Sequence, residues 1–190
     1  METQESHEKV QLTYREYALL PDDGRRHELI DGDFFVTPAP NSFHQTVSRR
    51  LQRQLMNQLE DQGLALIFNA PFDVILADTS VVQPDLAVVG TNRRYLLSLR
   101  GLEGAPSVAV EILSPSNPTA DLVLKRALYA KYSVPEYWIV DPVRGQITVH
   151  RSSAPGTPYD QVTRFERDAV LTSVELPEIA IPLAPLFAPL

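Results

Sequence analysis

Residues 108–113, Val-Ala-Val-Glu-Ile-Leu, form an almost unbroken apolar run. A strand that is apolar on both faces needs cover on both faces, so the run predicts an interior strand of an α/β sheet rather than a half-solvated one. The exception inside the run is Glu111. A carboxylate among such neighbours is costly unless a cation or a proton neutralises it. The plainer alternative is an outward-facing glutamate near the end of the sheet. The apolar flanks and the polar loop that begins at Ser114 favour a carboxylate at the strand's C-terminal end, where open α/β sheets place their ligands.

The rest of the chain supplies cover for that strand. Thr13 and Glu16 have capping-box spacing and predict a short helix over 14–20, broken by Pro21, Asp22, Asp23 and Gly24. Asp31-Gly32 between the strand-like runs 26–30 and 33–37 predicts a hairpin. A long helix is expected from a cap at Ser42 to about Gln62, with Val47, Leu51, Leu55 and Leu59 as its stripe and Gly63 as its stop. Strands follow over 64–69, 72–76 and 85–89, with a polar turn at Asp78-Thr79-Ser80, and 91–106 reads as loop with one helical turn. After the loop 114–118 comes a helix over 119–132 with Leu124, Leu128 and Tyr132 on one face. A strand over 136–140 and outer antiparallel strands over 146–150 and 161–166 complete the order. Pro182, Pro185 and Pro189 bar the tail, 181–190, from a central strand, so it is expected to pack across the body or a partner. The order predicts an α/β fold, a mixed sheet flanked by helices, as one domain over 12–190 behind a polar tail, 1–11.

Composition removes several functions. Without cysteine there is no thiol nucleophile and no cysteine-ligated zinc, so any metal must take oxygen or imidazole ligands. No apolar run is long enough to span a membrane, and the polar N-terminus lacks the order of a signal peptide, so the expected location is cytoplasmic. The formal net charge of -7 argues against a protein that coats nucleic acid through a broad basic surface. It leaves room for a nuclease, because bound cations and a local arginine cluster can reverse the field at one cleft.

Asp85 follows Pro84 at the head of the run Leu86-Ala87-Val88-Val89. Alone, a Pro-Asp pair signals no more than a turn. If its strand lies beside that of Glu111, the two carboxylates converge, and with a backbone carbonyl, that of Ile112, they suit a hard cation such as magnesium. Gln83-Pro84-Asp85, Val110-Glu111-Ile112-Leu113-Ser114-Pro115-Ser116, Lys125-Arg126 with Tyr129, and Val134-Pro135-Glu136-Tyr137-Trp138-Ile139-Val140-Asp141-Pro142 together resemble the Uma-type restriction endonuclease family, within the PD-(D/E)XK nuclease superfamily. Glu28-Leu29-Ile30-Asp31-Gly32 and Pro38-Ala39-Pro40 with His44 match its N-terminal part, and the resemblance spans roughly residues 13 to 185.

The resemblance implies a restriction-endonuclease-like core, hydrolysis of DNA phosphodiesters dependent on Mg2+ or Mn2+, and Asp85 and Glu111 as metal ligands. The chain departs from the superfamily where a lysine is expected two residues after the acid: Leu113 stands there. Lys125, on the following helix, is the candidate replacement; the bland reading is a solvated lysine. Glu28 resembles the extra N-terminal acid of such nucleases, and His44 at the start of the long helix could meet a phosphate or transfer a proton. Each is as easily a surface or packing residue. Arg49, Arg50, Arg53, Arg93 and Arg94 could touch a nucleic-acid backbone but read first as a solvated face, and Tyr137 and Trp138 read as core. A homodimer is expected, since the superfamily often pairs two sites and the apolar tail suits docking. The competing functions are a nuclease scaffold that binds nucleic acid or protein without cutting, and the same chemistry on RNA or another phosphodiester.

Overall fold

A two-residue hairpin turn follows from two residues that tolerate positive φ. Asp31 (φ 47) and Gly32 (φ 82) join β1 (Arg26–Ile30) to β2 (Asp33–Thr37), with Ile30 opposite Asp33 and Arg26 opposite Thr37. The computed structural model describes residues 11–21, 23–37, 39–114 and 119–189, and side chains in the helix after residue 118 from Leu122 onward. Asp22, Pro38, residues 115–118 and nearly all of the expected tail 1–11 lie outside the described residues.

Two six-stranded mixed sheets carry the architecture. The first contains β1, β2, β4 (Val74–Ala77), β5 (Ser80–Val82), β7 (Leu97–Ser98) and β8 (Gly101–Leu102), in the order β2-β1-β5-β4-β8-β7. The second contains β3 (Ala65–Asn69), β6 (Leu86–Gly90), β9 (Val108–Ile112), β10 (Glu136–Asp141), β11 (Gln146–Arg151) and β12 (Gln161–Phe165), in the order β12-β11-β10-β9-β6-β3. The short β13 (Val170–Leu171) and β14 (Ile181–Pro182) pair with each other. Among the described residues, three α-helices accompany them: α1 (Tyr14–Tyr17), α2 (Ser42–Leu55) and α3 (Thr119–Lys131).

The apolar run of β9 lies inside the second sheet, antiparallel to β6 and parallel to β10. Its alternation sorts its side chains between two cores. Val108, Val110 and Ile112 join Val47, Leu51 and Leu55 of α2, while Ala109 joins Leu128 and Tyr129 of α3. Glu111 has the parity of Ala109 and turns toward α3 as well, where its carboxylate meets Lys125 and Tyr129.

Several expectations are corrected. Asn41, not Ser42, caps α2, its side chain accepting from the His44 amide at 2.9 Å. The long helix passes from α to a π-helical turn over Met56–Glu60 before the stop at Gly63 (φ 71). The first helix closes at Tyr17 rather than Leu20. Ser80–Val82 forms a strand, too short to announce itself by periodicity, and 91–106 holds a 3-10 helix (Thr91–Leu96) and the β7–β8 pair. Helix α3 buries Lys125, Leu128 and Tyr129 and leaves Leu124 45% exposed, so its inner face is rotated from the expected Leu124–Leu128–Tyr132 stripe.

The C-terminal segment is spent on the chain's own core. Ile181, Leu183, Leu186 and Phe187 pack with α2 and the second sheet, and Arg50 donates to the carbonyls of Leu186 (3.1 Å) and Ala188 (2.5 Å). It thus packs across the body, the first of the two expected placements. Glu136, 1% exposed, fastens the stretch before it: one oxygen accepts the amides of Val174 (2.9 Å) and Glu175 (3.2 Å), the other Trp138 Nε1 (2.8 Å) and Ser173 Oγ (2.8 Å). Removing this carboxylate would leave four donors short of a partner. Glu136→Ala is expected to lower stability by about 3 kcal/mol in urea unfolding; a loss under about 1 kcal/mol would mean that water replaces it.

Candidate active site

The register that pairs Leu86 with Val110 brings Asp85, the residue before β6, alongside Glu111 at the end of β9. The Ile112 amide donates to Asp85 Oδ2 at 2.7 Å, fixing the two strand ends together. Around the pair, β1, α2 and α3 each contribute charged side chains, and the sequence-predicted residues Glu28, His44, Asp85, Glu111 and Lys125 form one buried cluster.

Lys125 sits at its centre, 1% exposed, with Nζ 2.8 Å from Glu28 Oε2 and 3.0 Å from Glu111 Oε1. Glu28 also accepts the Gln83 amide on Oε1 (2.8 Å) and the Thr37 hydroxyl on Oε2 (3.3 Å). As placed, it holds the lysine. Tyr129, one turn beyond Lys125, donates its hydroxyl to Glu111 Oε1 at 3.1 Å. Burial, followed by the Glu111 and Glu28 charges, pushes the Tyr129 phenol well above its ordinary range, so it stays protonated and remains a donor.

Asp85 forms the other half. His44 Nε2 lies 3.1 Å from Oδ2 and Arg26 Nη1 2.8 Å from Oδ1. Burial would raise this carboxyl, but His44, Arg26 and the Ile112 amide outweigh it and hold Asp85 below the usual carboxylate range. His44 is 6% exposed, and its Nδ1 is buried with no hydrogen-bond partner among the described residues. A cavity of about 450 Å³ opens beside it, lined by Arg26, His44, Arg49, Gln52, Asn69 and Asp85.

Glu111 is in the opposite condition. Burial pushes it up to about 7; Lys125 and Arg26 oppose the rise, and the Asp85 and Glu28 carboxylates add to it. Three carboxylates thus face Arg26, Lys125 and a histidine. The carboxylate oxygens of such a set suit a hard divalent cation. No three Asp, Glu or His side chains form a ready cage among the described residues, so an ion here would rest on the two carboxylates with backbone or water.

Arg26 and Tyr129 were missed as site residues. Arg26 and Glu28 lie two apart on one strand and share a face, and Lys125 and Tyr129 lie four apart on one helix; those spacings were the available signals. Of the arginines read as a solvated face, Arg50 caps the C-terminal segment, Arg93 and Arg94 donate to the carbonyls of Ala105 and Gly63, and Arg49 lines the cavity.

Mixed sheets flanked by helices, with a carboxylate cluster at the end of an interior strand, make this an α/β fold. A crystal structure described as a "putative nuclease belonging to DUF820" from Anabaena variabilis ATCC 29413 has the same fold, with a TM-score of 0.78 at 21% identity over 93% of this chain and 97% of that one. The chain belongs to the Uma2 family, described as "Putative restriction endonuclease", whose model matches residues 14–184. No curated protein matches it. Among the described residues, no helix is long and apolar enough to cross a membrane.

The raised Glu111 has a consequence for stability. The folded protein holds this proton up to about pH 7, whereas the unfolded chain releases it near 4.5, so stability falls as pH rises through that window. Glu111→Gln removes the dependence and leaves Lys125 paired with Glu28. Its stability relative to wild type is expected to improve between pH 5 and pH 8, without added metal, by on the order of 3 kcal/mol. Parallel thermal melts that give a pH-independent difference would contradict this.

Proposed function

We propose that the chain is an endodeoxyribonuclease of the PD-(D/E)XK type that depends on Mg2+ or Mn2+. The observation that carries this reading is the position of Lys125. Leu113 occupies the place of the expected lysine, yet Lys125 Nζ stands 3.0 Å from Glu111 Oε1, delivered by α3 instead of by the strand. That contact restores the pairing of acid and ammonium and weakens the alternative of an inert scaffold.

On this reading Asp85 and Glu111, with the Ile112 carbonyl, would hold the divalent cation. When bound, such an ion neutralises charge on a phosphate and acidifies a water. The chain's own groups do the rest. His44 and the Ile112 amide orient Asp85, and Tyr129 orients Glu111. Lys125 orients the attacking water and stabilises the charge that builds on the pentacovalent phosphate, while Glu28 keeps its ammonium in place. The unpartnered His44 Nδ1 is suited to a phosphate oxygen or a proton in transit. DNA rather than RNA is inferred from the family's description alone.

Supercoiled plasmid tests this directly. Nicking or linearisation with Mg2+ or Mn2+ is expected from wild type and is expected to fall by about 10²-fold or more in Asp85→Ala and Glu111→Ala. Folded wild-type protein that leaves plasmid, linear DNA and RNA intact with either metal would sink the proposal in favour of a binding module. Cutting both strands calls for two sites, so a homodimer is expected on DNA; a monomer mass by light scattering in metal with a non-cleaved duplex would end that expectation.

A further inference from the structure

Arg26 has no part in the chemistry just described, yet it occupies the carboxylate on which that chemistry rests. Asp85 Oδ2 receives His44 Nε2 (3.1 Å) and the Ile112 amide (2.7 Å), which uses both of its acceptor positions. Among the described residues, Oδ1 receives Arg26 Nη1 alone, at 2.8 Å. A cation taken up by Asp85 must therefore use Oδ1, the oxygen that already carries a guanidinium. A monovalent and a divalent positive charge on one oxygen repel strongly in a site this buried.

The guanidinium is also poised to leave. Arg26 is the first residue of β1, and its Nη2 donates to the Gln83 carbonyl, while its Nε is buried with no partner among the described residues. The side chain is 15% exposed and faces two cavities. One, of about 450 Å³, runs past His44, Arg49, Gln52 and Asn69; the other, of about 530 Å³, lies against Gly24, Val36, Thr37 and Pro40. A planar fork of donors matches a phosphate as well as it matches a carboxylate.

We infer that Arg26 is a phosphate-binding residue held on Asp85 as an exchangeable counter-ion. A divalent cation takes its place at Oδ1, and the released guanidinium joins Arg49 in the cavity to bind a phosphate of the nucleic acid. The inference rests on the assignment of Asp85 as a metal-holding carboxylate. It gives Arg26 opposite effects on two ligands: it weakens metal binding and strengthens nucleic-acid binding. A residue that only braced the fold would weaken both when removed.

Calorimetric titration of Mn2+ alone into wild type, Arg26→Gln, Arg26→Lys and Asp85→Ala tests the first effect. Arg26→Gln is expected to bind Mn2+ about tenfold more tightly than wild type or better, with Arg26→Lys, which keeps the charge, close to wild type. In saturating Ca2+, the same Arg26→Gln protein is expected to bind a labelled DNA duplex about fivefold more weakly, with a salt slope smaller by about one. If Arg26→Gln binds Mn2+ no more tightly while Asp85→Ala loses it, the exchange is wrong and the metal assignment stands. Tighter metal with unchanged DNA binding overturns the phosphate role. If Asp85→Ala binds Mn2+ as wild type does, or wild type binds none, the assignment of Asp85 and the exchange both fall. Should Arg26→Gln not fold, wild type decides: exchange of the Arg26 Nε proton with water must quicken on saturation with Mg2+, and an unchanged rate overturns the inference.

Discussion

An ammonium can be taken out of water only where opposite charge is held against it, and Lys125 meets that condition with Glu28 on one side and Glu111 on the other. The three side chains come from α3, β1 and β9, so one ion cluster ties a helix to both sheets. Each carboxylate is itself braced, Glu28 by the Gln83 amide and Glu111 by the Tyr129 hydroxyl. The arrangement is asymmetric in its energetics. Assembled, it offsets its own desolvation; with Lys125 missing, it leaves buried carboxylates without their cation, typically a loss of about 3–5 kcal/mol. The helix cannot rotate or slide without breaking it.

That constraint explains the orientation of α3. An amphipathic helix is usually set by its apolar stripe, here Leu124, Leu128 and Tyr132. The stripe lost. Leu124 is 45% exposed and Val123 is 50% exposed, while Lys125 is buried with Leu128 and Tyr129. Exposing one leucine forgoes about 2 kcal/mol of burial, less than leaving a pair of buried carboxylates without a cation. The same local balance reconciles a nuclease family with a chain of formal net charge -7. The cavity beside Asp85 is lined by Arg26, His44 and Arg49, so its local field differs from the average of the surface.

Much of this was legible from sequence wherever local chemistry decides. The apolar run with a lone glutamate located the interior strand and its carboxylate, and Asp31-Gly32 located the hairpin that carries Glu28. Asp85 was identified as a candidate only on the condition that its strand lie beside that of Glu111, and the pairing of β6 with β9 meets the condition. What escaped was set by contacts distant in the chain. The three residues of β5 owe their strand to pairing with β1 and β4, not to propensity. The role of Arg26 needs Asp85, fifty-nine positions away, to be visible. Helix α3 was misjudged because an apolar count assigns no weight to a lysine that must be inside.

Carrying the ammonium on a helix rather than on the strand changes what the site depends on. A lysine two residues past the acid shares its strand face automatically, because side chains alternate along one backbone. Lys125 reaches Glu111 only if α3 is docked in its rotated setting, on Leu128, Tyr129 and the β9–β10 surface beneath them. The packing of that helix therefore sets the reach of the ammonium, and Tyr129 takes part in both, with its ring in the core against Tyr137 and its hydroxyl on Glu111. Substitutions that only loosen this interface would shift the ammonium relative to the carboxylates without touching either. A displacement of about 1 Å in a catalytic group can cost two orders of magnitude in rate, so on the proposed function the apolar contacts of α3 would serve the chemistry as well as the stability of the fold.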